Sequence, residues 1–91
     1  MLPMQTIYKY PLSSHRETTV RLPSGAKVLK IDVQNGDLFL WALVDTDAFL
    51  ETRTIEVYGT GHPIPDGNRV FINTFFVHGG EYVFHAFERL K

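Results

Sequence analysis

Apolar and polar residues alternate along most of the chain with the two-residue period of β-strands, and no window holds a sustained helical period. The pattern predicts seven strands, at about 5–11, 17–22, 26–34, 37–45, 53–59, 69–78 and 81–88. Asn35-Gly36 lies between two apolar, β-rich runs. Both central residues of a type I′ turn need positive φ, so this dipeptide is a strong hairpin signal. Gly79-Gly80 occupies an equivalent place. Pro23-Ser24-Gly25 turns the second strand into the third. Residues 46–51 make a looser connection with room for one helical turn, and 59–68 form a longer loop rich in glycine and proline.

Tight turns fix register, and register assigns faces. A two-residue turn at Asn35-Gly36 sets Val33 against Leu38, Ile31 against Leu40 and Leu29 against Ala42, an apolar face that belongs in the core. The other face pairs Asp32 with Phe39, Lys30 with Trp41 and Val28 with Leu43. A run apolar on both sides, such as 39–44, suits a central strand. The second turn sets His78 against Glu81, Phe76 against Val83, Thr74 against His85 and Ile72 against Phe87. Its reverse face pairs Val77 with Tyr82, Phe75 with Phe84 and Asn73 with Ala86. The expected fold is one all-β domain of about seven antiparallel strands. A hairpin meander would form a small barrel or a two-layer sandwich.

Composition adds constraints. A domain of 91 residues buries a modest fraction of its surface, so self-association would help its stability. We expect a homo-oligomer. The formal net charge of −1 gives no global field to draw nucleic acid or anionic membrane, so no specific DNA binding and no membrane partner are expected. The absence of cysteine removes disulfides, thiolate metal sites and a cysteine nucleophile. Residues 1–10 lack the basic start and apolar run of a signal peptide, and the longest apolar run, 38–44, is too short for a membrane helix.

Four features bear on chemistry. His62, His78 and His85 invite a metal reading. In the expected register, however, His78 and His85 stand roughly 13 Å apart at about 3.4 Å per residue, so no metal or other cofactor is expected. Thr74 beside His85 is a polar pair in an apolar face, either a satisfied core pair or the polar floor of a pocket. The loop with Thr60, Gly61 and His62 allows close backbone approach, and its amides could form an anion-binding nest; it could equally be a rigid connector held by Pro63 and Pro65. Lys30 beside Trp41 and Phe39 suits a nucleobase, or a face that packs on a second sheet or subunit. No catalytic set stands out. Residues 13–16 look like a connecting turn, Asp45 and Asp47 flank another, and Glu81 and Glu88 sit at strand ends.

The elements Ile7-Tyr8-Lys9-Tyr10, Leu22-Pro23 with Gly25-Ala26-Lys27, and Leu40-Trp41-Ala42-Leu43-Val44-Asp45 are distinctive. So are Gly59-Thr60-Gly61-His62-Pro63-Ile64 and His78-Gly79-Gly80 with Val83-Phe84-His85 and Phe87-Glu88. On these the chain resembles a family of small, largely uncharacterised proteins of bacteriophages and prophages. By analogy with small phage proteins that act by binding, the resemblance implies a counter-defence protein of the host cytoplasm. It would sequester a small nucleotide-type immune signal without catalysis. The expected ligand-binding set is Lys30, Trp41, Arg53, Tyr58, Thr60, Gly61, His62, Arg69, Thr74, His78, Tyr82 and His85. Two alternatives stand beside it: a protein-binding inhibitor of a host enzyme acting through an aromatic sheet face, and a small phosphodiesterase-like enzyme using His62 or His85.

Overall fold

The seven strands form where the alternation predicts them, in a computed structural model that describes residues 4–13 and 16–90. They are β1 (Gln5–Pro11), β2 (Glu17–Pro23), β3 (Lys27–Gln34), β4 (Asp37–Asp45), β5 (Leu50–Gly59), β6 (Arg69–Val77) and β7 (Tyr82–Arg89). The expected turn at 13–16 falls partly on residues 14 and 15, outside the described residues. The connection after β4 holds no helical turn: β5 begins at Leu50, earlier than expected, and Asp45 accepts from the Asp47 amide to close a short turn.

The strands form two antiparallel sheets, ordered β1-β4-β3 and β2-β5-β7-β6, packed as an open sandwich rather than a closed barrel. This corrects the meander. Sequence neighbours pair only in the β3–β4 and β6–β7 hairpins, where the tight turns are. The corner at 23–26, closed by Ala26 N–H donating to the Pro23 carbonyl at 3.0 Å, carries the chain from one sheet to the other. The long loop after β5 lets β6 skip a position, so that β7 pairs with both β5 and β6.

The expected register holds near both turns and shifts further out. A bulge between Val28 and Lys30 leaves Leu29 unpaired. Val28 therefore replaces Leu29 opposite Ala42, Lys27 replaces Val28 opposite Leu43, and Leu29 is exposed. A second bulge at Ile72 sets Phe71, not Ile72, opposite Phe87. Each bulge adds one residue on one strand, which no turn signal announces.

One core joins the sheets. Ile31, Leu40, Ala42 and Val44 from the first meet Val20, Leu22, Ile55, Phe75 and Ala86 from the second. Strand β4 is central in its sheet, but its far side, with Phe39 and Trp41, is not covered by the second sheet. The free edge of β3 approaches β6 and is blunted there. In an antiparallel hairpin alternate residues point their amides away from the partner strand. At Ile31 those groups meet the Asn73 side chain: Ile31 N–H donates to Oδ1 and Nδ2–H donates to the Ile31 carbonyl, both at 2.8 Å. The Val33 amide is met by the Asp32 carboxylate at 2.8 Å.

Candidate binding site

The twelve residues expected to hold a ligand divide among four places. The first is the turn after β5. His62 N–H donates to the Gly59 carbonyl at 3.0 Å, and Gly61 at φ +86° fills the left-handed position. Thr60 N–H donates to the Val83 carbonyl at 3.1 Å. Two of the amides expected to form an anion nest are therefore spent on the fold. The His62 ring lies against Gly59, where a Cβ would meet it at 2.9 Å, so a side chain there would push the ring aside.

His85 stands behind this turn, on the face of its sheet away from the core. Its Nε2 is 2.8 Å from Thr60 Oγ1 and its Nδ1 is 2.9 Å from Thr74 Oγ1. Thr60 Oγ1 is also 3.3 Å from the Val83 carbonyl, which can only accept. We assign the Thr60 proton to that carbonyl, so Nε2–H donates to Thr60 and Nδ1 accepts from Thr74. The Thr74–His85 pair is thus neither in the core nor a pocket floor; it is a satisfied rung of the outer face. The nearby cleft, about 420 Å³, is lined by Thr60, His62, Glu81 and Tyr82. His78, at φ 54°, sets its ring edge-on to Tyr82. Among the described residues no carboxylate orients His62 or His85, and no cluster of His, Cys, Asp or Glu could hold a metal ion.

The second place is a cleft of about 540 Å³ on the outer side of the four-stranded sheet, where Pro65–Arg69 approach Arg16, Tyr58 and Arg89. Sequence reasoning missed its centre, Glu56, which is 1% exposed. Arg69 Nε donates to one carboxylate oxygen and Arg89 to the other, and Arg89 also reaches Glu17 at 2.7 Å. Burial alone would raise the Glu56 pKa; the hydrogen bonds from Arg69, Arg89 and Tyr58 outweigh it and hold the carboxyl below its ordinary value. Arg69 Nη1 further donates to the Pro65 carbonyl at 2.6 Å. Tyr58 is 2% exposed beneath the Arg16 and Arg69 guanidinium groups, so it offers no stacking face. A glutamate on a strand pattern carries no signal of this role.

Arg53 is the third. Its guanidinium binds Glu88 through Nε and Nη2 and the Ala26 carbonyl at 2.9 Å, tying β5 to β7 and to the corner before β3. That charge is committed to the fold.

Lys30 and Trp41 occupy the fourth place, the open side of the three-stranded sheet. One rung crosses all three strands as Lys9–Trp41–Lys30. Lys30 lies beside Trp41 in register, but its ammonium pairs with Asp32 at 3.1 Å. The cation over a ring is Lys9, 4.4 Å from the Phe39 centroid, and it donates to Gln34 Oε1 at 3.0 Å. Both lysines thus lean toward the Asn35-Gly36 turn and leave the half-buried Trp41 beside them. A cleft of about 340 Å³ runs from Trp41 past Lys30 to Gln34. The chain's one tryptophan therefore borders two cations whose polar partners among the described residues are Asp32 and Gln34, at the surface.

The fold and these sites define a small β-sandwich with polar and aromatic clefts on both outer faces. The chain belongs to the family described as Domain of unknown function (DUF7352), whose profile matches residues 4–91. No curated protein and no solved structure matches it.

Proposed function

We propose that this protein holds a small nucleotide-type ligand without transforming it, on the open face of the three-stranded sheet. The observation that carries the reading is the Lys9–Trp41–Lys30 rung: an indole edged in register by two lysines, on the face the second sheet leaves uncovered. A base laid on the Trp41 ring gains about 1–3 kcal/mol from stacking, and a phosphate beside it meets the Lys9 and Lys30 ammonium groups. The other cations are weaker candidates. Arg53, Arg69 and Arg89 are tied to the largely buried Glu88 and Glu56, whereas the Lys30–Asp32 pair stands open to solvent. The resemblance to phage proteins supports a nucleotide-derived immune signal as the ligand and sequestration in the host cytoplasm as the outcome. A second copy of the chain would close the ligand in.

Trp41 reports on its own site. Titration with cyclic dinucleotides, cyclic ADP-ribose isomers and AMP, followed by Trp41 fluorescence and calorimetry, is expected to give quenching and heat together for at least one of them. Lys30→Glu abolishes both while the far-ultraviolet dichroism stays that of the parent. Silence from every nucleotide in both measurements refutes the proposal. Native mass spectrometry of freshly purified protein reads a retained ligand and the oligomeric state at once.

A second reading has its own observation. Phe71, opposite Phe87, and Phe76, opposite Val83, are 55% and 63% exposed on the outer face of the other sheet. Aromatic anchors of this kind dominate protein interfaces. A host protein captured by the parent chain but not by a Phe71→Ser, Phe76→Ser variant favours inhibition of a host enzyme instead.

A further inference from the structure

Between the two sheets, at the end of the sandwich that carries the Asn35-Gly36 turn, the core is left open. A slot of about 340 Å³ lies there. Val33 and Leu38 line it from one sheet, and Val57, Phe75, Val77 and Phe84 from the other. Most of these side chains pack against the core yet remain only half-buried. A domain this small has little stability to spare, and apolar area left in contact with water forgoes about 25 cal/mol per Å². The volume lies in the range of small-molecule pockets, which are mostly apolar and largely preformed.

We infer that this slot is a second binding site, distinct from the Trp41 face, and that it takes a small uncharged apolar molecule of the size of a substituted benzene ring. The charge pattern selects the class. Among the described residues no lysine, arginine or histidine lines the slot, and the one ionisable residue at its rim is Asp37. A carboxylate or phosphate entering it loses hydration and gains no cation. A neutral ring gains contact with both sheets and keeps its polar substituent, if any, at the Gly36–Asp37 mouth. The Trp41 cleft differs in kind: it is lined by the Lys30–Asp32 ion pair and Gln34, polar groups the slot lacks.

Methyl-resolved NMR tests this on the intact chain. Benzyl alcohol and toluene are titrated against benzoate. The neutral probes are expected to shift the methyls of Val33, Leu38, Val57 and Val77 together, and benzoate to shift them about tenfold less at equal concentration. Val57→Phe fills the slot: the probe-induced shifts vanish while the thermal midpoint holds or rises. Should that variant fail to fold, Val33→Ala provides the opposite check, because a wider slot keeps the neutral probes. Three results overturn the inference: methyls that ignore both neutral probes, benzoate shifts equal to those of benzyl alcohol, or methyl shifts that follow protein concentration alone. The last would mean that a second copy of the chain already covers the slot.

Discussion

Replacing Asn73 by alanine tests how the two sheets are joined. The Asn73 amide stands where a further strand would pair with β3, satisfying both the donor and the acceptor of Ile31. Ile31 is 0% exposed, so water reaches those groups poorly once the side chain is gone. A buried backbone group left without a partner costs about 1–3 kcal/mol. Two such groups, with partial relief from a water in the vacated space, give an expected loss of about 2–4 kcal/mol. For a domain of this size each kcal/mol moves the midpoint by about 4–8 °C, so the variant should melt roughly 8–32 °C lower. Urea denaturation followed by Trp41 fluorescence measures it directly, since β4 is the other neighbour of β3. Asn73→Asp adds a sign test. The carboxylate keeps an acceptor for Ile31 N–H but sets a second negative oxygen against the Ile31 carbonyl. That variant should be weaker than the parent at neutral pH and regain stability on acidification, as its carboxyl protonates and can donate. A loss below about 0.5 kcal/mol for Asn73→Ala, the range of an ordinary surface change, would refute the edge-pairing argument.

Other expectations follow from the same structure. Glu56 is held below its ordinary pKa, so its ionised form favours the folded state. That contribution is complete above about pH 4.3, the unfolded value, and is lost as pH falls through the lower folded value. Urea midpoints at about pH 6 and about pH 3 should fall more steeply for the parent than for Glu56→Gln, which starts lower. Leu40→Ala removes a fully buried side chain at the centre of the core, with an expected loss of about 2–5 kcal/mol in urea titration. Gly36→Ala meets nothing within 4 Å, so its cost is conformational alone: φ of +84° makes it about 1–2 kcal/mol, readable as a lower midpoint with an unchanged denaturant slope.

The alternation of side chains, which has a period of two wherever a strand runs, made the seven strands, the all-β class and most of the core legible in the sequence. The two glycine turns made the nearby register legible, because positive φ at Asn35 and Gly36 leaves little choice of hairpin. The pairing of Lys30 with Trp41 and of Thr74 with His85 came from that local constraint. What the chain could not announce is long-range. Which strands lie side by side depends on burying one face of each sheet against the other, and so β1 pairs with β4 and β2 with β5. The bulges at Leu29 and Ile72 depend on how the sheets curve to meet. The charges were decided there too. Arg53 and Arg69 carry no mark in the sequence that separates a binding cation from a structural one. Only folding brings Glu88 to the first, 35 positions away in the chain, and Glu56 to the second, 13 positions away. A buried cation takes whatever carboxylate the topology delivers, whereas Lys9 and Lys30, beside Trp41, stay at the surface on Gln34 and Asp32.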